Sequence, residues 1–154
     1  MERALNARAL PLALHLPSFV PFRLNRLTAA VSSYLSDIYR ERFALDIPEW
    51  RVLVTVGPER GCTAQQIAAS TRMHKTRVSR AIAHLEERGL IERASNSDDR
   101  RSRELLLTRS GRRMYQDLVP LALERERALL ACLGKEDLRG FLAALTRLEQ
   151  FLEL

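Results

Sequence analysis

The sequence predicts a mostly α-helical protein with one small β-hairpin, an α+β fold. Apolar residues recur at three- and four-residue steps in long stretches toward both ends of the chain. Two capping-box patterns mark short helices in the middle, and two apolar segments around a polar loop come after them. The 154 residues are 46% hydrophobic, which suits one domain of ordinary size with a buried core.

The first predicted helix is long and amphipathic and covers residues 18–43. Pro21 fits its first turn, and its apolar residues recur at helical spacing: Phe19, Phe22, Leu27, Val31, Leu35 and Ile38. The preceding stretch has arginines before a short apolar segment, as a signal peptide does, but it lacks an A-x-A cleavage pattern. We therefore interpret it as an N-terminal arm.

The motif DIPEW predicts the start of a second helix. Asp46 can cap this helix, Pro48 is tolerated in the first turn, and Glu49 completes a capping box. The residues expected to face inward are Trp50, Leu53 and Val54.

Two more helices follow, with a turn at residues 71–74 between them. Thr63 and Gln66 form a capping box of the T-x-x-Q kind at the start of the first. In the second, the spacing i, i+4, i+7 predicts one buried stripe, made of Val78, Ile82 and Leu85. Gly89 is suited to the position just after a helix end.

A hairpin and two helices complete the chain. Thr108 ends the second strand and is expected to cap a long helix that runs to about residue 133, with a kink at Pro120. Gly134 separates it from a last helix, residues 135–154, which has a leucine-rich face. The order helix, turn, helix, hairpin indicates a winged helix-turn-helix flanked by long helices.

The charge distribution indicates which kind of partner this unit binds. The formal net charge is +6, and residues 72–103 contain nine Lys and Arg against five Asp and Glu. Such an excess favours an anionic partner, nucleic acid before a membrane surface. The second helix of the unit is expected to enter a major groove. The candidate DNA contacts are the cap of the preceding helix and the polar side chains near the start of this one: Thr63, Lys75, Thr76, Arg77, Ser79 and Arg80.

The polar loop of the hairpin, the wing, contains further arginines. We expect Arg100, Arg101 and Arg103 to reach a minor groove, where concentrated negative potential favours arginine. Asp99 in the same turn is expected to orient a guanidinium and so reduce the entropy lost on binding. The alternative interpretation of this loop is an ordinary solvated turn.

Three segments with different roles are predicted. Residues 1–45 form an N-terminal arm and dimerisation helix, residues 46–108 form the DNA-binding winged helix-turn-helix, and residues 109–154 form the C-terminal dimerisation helices. Dimerisation is expected because the flanking helices have more apolar face than one small winged helix can cover.

Several other classes of protein find no support in the sequence. Cys62 and Cys132 cannot form a disulfide framework, which favours a reducing cytoplasm. The three histidines offer no zinc-ligand spacing with cysteine, and no apolar run reaches the roughly 18 residues of a transmembrane helix. No catalytic triad, Cys/His set or phosphate loop is apparent. We therefore expect no enzyme activity, no metal, no cofactor and no membrane partner.

The wing region resembles one known family. The stretch LEERGLIERASNSDDRRSRELLLTRSG looks like the wing of the MarR (multiple-antibiotic-resistance regulator) family, in which a D-x-R pair precedes L-T-x-x-G. Asp99 and Arg101 match the pair, and Thr108 and Gly111 match the helix start. TAQQIAASTRMHKTRVSRAIAHLEERGLI is similar to the family's helix-turn-helix. His74 departs from the small polar cap usual there, so either the start of that helix or its base contact there is expected to differ.

The resemblance implies an obligate homodimer that binds a pseudo-palindromic operator in double-stranded DNA. Such proteins usually repress, and a small molecule or an oxidant commonly releases them. By analogy with members that sense phenolic or carboxylate compounds, a ligand pocket for a small aromatic or carboxylate effector would be lined by Phe22, Arg23, Arg26, Trp50, Arg51 and Met114. The arginines could pair with a carboxylate. The alternative is that the aromatic residues are core and the arginines are surface.

Two other functions stay open on the sequence. One is a nucleoid-associated or antisilencing DNA-binding protein without an effector. The other is a redox-sensing repressor acting through Cys62 or Cys132, of which Cys62 precedes a helix N-terminus where a thiolate can be stabilised.

Overall fold

Six α-helices and one two-stranded antiparallel sheet make up the part of the chain that the structure, a computed structural model, describes: residues 13–57, 61–94 and 104–153. In order they are α1 (Val20–Phe43), α2 (Ile47–Val56), α3 (Ala64–Thr71), α4 (Lys75–Glu87), β1 (Ile91–Arg93), β2 (Leu105–Leu107), α5 (Arg109–Leu130) and α6 (Lys135–Phe151). The predicted fold class and order of elements are confirmed.

The described chain divides into two compact units, with the boundary inside α1 after Tyr34. In the first unit a short 3-10 turn, Leu16–Ser18, precedes α1, so α1 begins two residues later than predicted. Between residues 13 and 30 only Phe22 is partly buried. The second unit begins at Leu35 and contains every other helix and the sheet. This division does not test the predicted roles of residues 1–45, 46–108 and 109–154 in dimerisation and DNA binding, which stay predictions.

Local capping fixes where the helices begin. Asp46 and Glu49 form the predicted capping box, in which each backbone N–H donates to the other side chain at 2.8 Å. Thr63 and Gln66 form the second box, with distances of 2.7 and 3.2 Å. His74 caps α4 with its ring, because Nδ1 accepts a 3.3 Å hydrogen bond from the backbone N–H two residues later. These contacts satisfy amides that a helix start otherwise leaves unpaired.

The core lies where α2 packs against α3, α4, α5 and β2. Leu53 is fully buried as predicted, but Trp50 and Val54 are only partly buried. Val52 and Val56, which the motif did not indicate, are the other fully buried residues of α2. A helix surrounded by several elements buries more than one stripe, so the inward face predicted for α2 was too narrow.

The C-terminal helices leave much apolar surface uncovered. α5 ends at Leu130 rather than near 133 and continues through Pro120, and α6 ends at Phe151 rather than 154. No described residue of α6 is buried, and Leu142 and Leu148 on its leucine face are 49% and 45% exposed. No described helix is long and apolar enough to cross a membrane.

A close backbone contact sets α5 on the sheet. Thr108 caps α5 by accepting from the N–H of Gly111 at 3.0 Å, and its hydroxyl donates to the Gly89 carbonyl at 2.6 Å. A Cβ on Gly111 would collide with the carbonyl oxygen of Leu90. A glycine is therefore required here because of space, not because of its backbone angles.

Gly111→Ala is expected to lower the free energy of unfolding by roughly 1–3 kcal/mol, the usual effect of forcing an extra carbon into a packed site. Chemical denaturation measures it. Gly140→Ala is the matched control, because no atom lies within 4 Å of its added Cβ in α6. That variant should gain roughly 0.5–1 kcal/mol from helix propensity. Equal stability of Gly111→Ala and the unsubstituted protein would contradict this contact.

Candidate nucleic-acid interface

The orientation of α4 is set by its buried stripe. Val78, Ile82 and Leu85 are 1%, 2% and 0% exposed, as the spacing predicted, and Ala81 joins them at 3%. This side packs against α2, α3 and β1. Burial of each large side chain contributes roughly 1.5–3 kcal/mol, so rotation of the helix about its axis is strongly disfavoured.

The opposite side of α4 presents polar and basic groups to solvent. All five candidate contacts in this helix are exposed: Lys75, Thr76, Arg77, Ser79 and Arg80. None of the three cations among them makes a side-chain hydrogen bond or ion pair with a residue that the structure describes. They are therefore free to donate to an external acceptor, and the structure brings all five to the first half of one helix.

Thr63 has a different role from these five. Its hydroxyl is partly buried and already accepts the Gln66 N–H at the start of α3. The hydroxyl oxygen therefore already accepts within the protein, whereas its O–H can still donate to a phosphate at this helix start. This role for Thr63 stays a prediction.

A carboxylate on α2 secures the far end of α4. Glu49 is buried, and its Oε1 lies 3.2 Å from Nδ1 of His84 on α4. Its Oε2 lies 4.0 Å from the Arg88 guanidinium, at the outer limit of an ion pair. Glu49 thus serves twice, in the capping box of α2 and as the acceptor facing α4.

Arg88 itself is held more closely by backbone carbonyls. Its Nη1 and Nη2 each donate a 2.8 Å hydrogen bond, to the carbonyls of Ala44 and Phe43 at the end of α1. Hydrogen bonds from a charged donor are stronger than neutral ones. The sequence analysis did not predict this contact. The only indication of it in the sequence was an arginine directly after the last residue of α4.

The hairpin is joined to α4 at its base. Arg93 of β1 makes two hydrogen bonds to the Glu86 carboxylate, of 2.7 and 3.3 Å. β1 and β2 pair antiparallel, with Ile91 opposite Leu107. The predicted wing contacts Asp99, Arg100, Arg101 and Arg103 lie outside the described residues, so their roles stay predictions.

The residues predicted to line a ligand pocket belong to both compact units. In the first unit, Arg26 lies over the Phe22 ring at 5.9 Å, and Arg23 and Arg26 line a groove along α1. In the second unit, Trp50 lines an apolar pocket, Arg51 lines a polar groove, and Met114 packs against the core. Trp50 and Arg51 are consecutive, yet the helix directs them to different sites.

The apolar pocket has a volume of about 270 Å³ and lies between the second half of α1, α2 and α5. Trp50 stacks on Tyr39 with ring centroids 5.4 Å apart. Burial raises the pKa of Tyr39, and Arg51 and Arg40 act against that rise. Glu126 is the one acidic residue in the described lining. The pocket therefore suits an uncharged ring better than a carboxylate.

The two cysteines have different environments. Cys62 is 4% exposed, and its backbone pairs with Leu105 beside the sheet. Cys132 is exposed, and its Sγ donates a 3.2 Å hydrogen bond to the Leu129 carbonyl. Among the residues described, no cluster of His, Cys, Asp and Glu is arranged to hold a metal ion.

A helix-turn-helix, a small hairpin and an outward basic face on the second helix together define a winged helix-turn-helix protein. A sequence model described as "MarR family" matches residues 45–102. The chain is 31% identical over 104 residues to the uncharacterised HTH-type transcriptional regulator YwoH of Bacillus subtilis (strain 168). This alignment covers 66% of this chain and 73% of YwoH. It is 27% identical over 107 residues to HTH-type transcriptional regulator FarR of Neisseria gonorrhoeae, covering 68% of this chain and 73% of that one.

The chain also spans about 64% of the length of YwhA, another HTH-type regulator of B. subtilis, at 29% identity. Among solved structures, a MarR/EmrR family transcriptional regulator from Acinetobacter sp. ADP1 is 25% identical with a TM-score of 0.80, covering 91% of this chain and 99% of that one. Streptococcus pneumoniae FabT in complex with DNA has the same fold at 24% identity, with a TM-score of 0.73, covering 87% and 95%. The chain belongs to the MarR family of transcriptional regulators, which are not enzymes.

Proposed function

We propose that the protein binds double-stranded DNA sequence-specifically and that α4 is the helix that enters the major groove. The observation that supports this is the face of α4 opposite its buried stripe, which exposes three cations and two hydroxyls with no partner among the described residues. Arginine and lysine donate to guanine, and hydroxyls donate to several base edges or to phosphate. The DNA present in the FabT structure, a protein of the same fold, is consistent with this role.

We further propose that the protein acts as a homodimer on a pseudo-palindromic operator and represses transcription. The support is the uncovered leucine face of α6, together with Leu123 of α5, which is 49% exposed. An exposed apolar face of this kind is typical of an interface. Two copies related by a twofold axis would place two α4 helices on the two halves of a palindromic site. In this arrangement residues 1–45 and 109–154 supply the dimer interface, and residues 46–108 bind the DNA.

Release by a small effector is the third part of the proposal. The pocket beside Trp50 and Tyr39 is apolar, and its volume of about 270 Å³ is near the lower end for small-molecule sites. It joins α1, α2 and α5, and α2 packs directly on α4. A ligand there would displace α2 and with it α4. The sequence suggested an aromatic or a carboxylate effector, and the apolar lining favours the aromatic one.

The two alternative functions have less support. A redox sensor needs an accessible thiolate, and Cys62 is buried in the core. Cys132 is exposed but lies on the final turn after α5, next to the proposed dimer helices. A DNA-binding protein without an effector would have no use for the apolar pocket, and a ligand screen separates that possibility from ours.

The proposed DNA contacts are tested by comparing Arg77→Ala with Arg101→Ala. Arg77→Ala should relax base preference at one symmetric pair of positions and cost about 1–3 kcal/mol per half-site. Arg101 is predicted from the sequence to grip the backbone or a narrow minor groove. Its removal should weaken operator and scrambled DNA alike and lower the salt slope of log affinity by roughly two per dimer.

The measurement is a binding titration by fluorescence anisotropy at several salt concentrations, on a site selected from random DNA by the unsubstituted protein. Arg139→Ala, an exposed arginine of α6, is the control with the same charge change. If Arg77→Ala leaves both affinity and base preference unchanged, α4 does not read the operator.

The dimer is tested with Leu145→Glu/Leu148→Glu in α6. Because each leucine contributes roughly 1.5–3 kcal/mol when buried, two charges there should convert the dimer to monomers in sedimentation velocity. Ala143→Glu/Gln150→Glu adds two charges at exposed positions on the opposite side of the same helix and should remain dimeric. A doubly charged variant that sediments as a stable dimer would place the interface elsewhere.

The effector pocket is tested by filling it. Ala122→Phe places a ring in the cavity beside Trp50, so stabilisation by aromatic compounds should be abolished. A ligand at 100 times its dissociation constant should stabilise the unsubstituted protein by about 2.7 kcal/mol in a thermal-shift screen. Ala128→Phe, an exposed position of the same helix, is the matched control. Ligand stabilisation that survives in Ala122→Phe would exclude this pocket.

A further inference from the structure

A polar groove of about 520 Å³ runs between the end of α1, the start of α2 and the outward side of α4. It lies wholly within the second compact unit. Its basic lining consists of Arg40 from α1, Arg51 from α2, and Arg77, Arg80 and His84 from α4. The groove is therefore continuous with the proposed DNA-reading face, since Arg77 and Arg80 belong to both.

The four guanidiniums of this groove lack acceptors among the residues that the structure describes. All four arginines are exposed, and none makes a side-chain hydrogen bond or ion pair with any residue in the described ranges. Arg40 and Arg51 both lower the pKa of Tyr39 against the effect of its burial, so both guanidiniums lie near one phenol. The one carboxylate in the lining, Asp46, already accepts the Glu49 N–H as the cap of α2.

Other arginines of the same unit donate hydrogen bonds to acceptors within the protein. Arg88 donates to two carbonyls, Arg93 to a carboxylate, and Arg112 to the Leu107 carbonyl at 2.6 Å. In contrast, the groove gathers four guanidiniums around one carboxylate, so their mutual repulsion is only partly offset by Asp46. An anion in the groove would remove that repulsion and accept from several planar donors at once.

We propose that this groove binds phosphate, and that its occupant is the DNA backbone beside the major groove that α4 reads. Arg40 and Arg51 then extend the interface from α4 onto α1 and α2. The identification of DNA as the source of the phosphate rests on the proposed DNA-binding function, whereas phosphate binding by the groove does not. Arg51 in this position contacts nucleic acid instead of a carboxylate effector.

The first experiment compares Arg40→Gln/Arg51→Gln with Arg139→Gln/Arg147→Gln. Both double variants remove the same charge from exposed positions. The second pair lies on α6, outside the groove and on the side of that helix away from Leu145 and Leu148. Titration of DNA at several salt concentrations should give a smaller salt slope for the groove variant, by about 0.9 for each phosphate that is no longer neutralised. The slope of the α6 variant should match that of the unsubstituted protein. Thermal melts verify that both variants fold.

The second experiment uses no DNA. Pyrophosphate is titrated into the full chain at constant ionic strength, with binding followed by calorimetry. The groove variant should bind pyrophosphate at least about tenfold more weakly than the unsubstituted protein, and the α6 variant should bind equally well.

The two experiments separate the possible failures. If the unsubstituted protein binds no DNA, the proposed function fails, and the pyrophosphate titration still tests the groove. If the groove variant keeps its DNA salt slope but no longer binds pyrophosphate, DNA is overturned as the occupant in favour of a free phosphate compound. If the folded groove variant and the unsubstituted protein agree in both titrations, the phosphate site is overturned.

Discussion

The packing of α4 on α2 is the constraint on which the rest of the structure depends. Val78, Ile82 and Leu85 bury one side of α4, and Val52 and Val56 of α2 are equally buried. Apolar burial fixes the rotation of α4 about its axis. Because it is non-directional, it does not by itself fix the position of α4 along that axis. Directional contacts are added at its C-terminal end, where Glu49 faces His84 and where Arg88 donates to two carbonyls at the end of α1. The side chains on the outer face therefore point outward from a helix that is held on one face and at one end.

The same arrangement explains how a signal could reach α4. The apolar pocket beside Trp50 is formed by α1, α2 and α5, and α2 is the element shared between that pocket and α4. The chain leaves α1 through Ala44, which has a positive φ of 48°, and the Arg88 hydrogen bonds end on that turn. A displacement of α1 or α2 would therefore act on the packing face of α4 and on the contacts at its C-terminal end. A coupling of this kind requires two discrete arrangements of these helices, which ligand-free and ligand-bound structures can reveal.

Two groups of basic residues in the described part of the chain have different physical roles. Arg88, Arg93 and Arg112 are satisfied by carbonyls or a carboxylate and hold elements together. Lys75, Arg77 and Arg80, with Arg40 and Arg51 across the groove, are exposed and lack such partners among the described residues. Net charge alone does not distinguish the two groups, although only the second is available to a polyanion.

The sequence by itself determined the elements whose cause is local. Asp46 and Glu49, Thr63 and Gln66, and Thr108 and Gly111 are each three residues apart, so their caps are readable from the chain. The single buried stripe of α4 was readable for the same reason, and it located the candidate DNA-reading face. Only the tertiary structure decided contacts between distant segments: Glu49 and His84 are 35 residues apart, and Arg88 and Phe43 are 45 apart. It also decided that Trp50 and Arg51 line different sites, and that Arg40 and Arg51 share a groove with Arg77 and Arg80. Helical periodicity tells which residues share a face, but the neighbour that the face meets is set by the packing of the whole core.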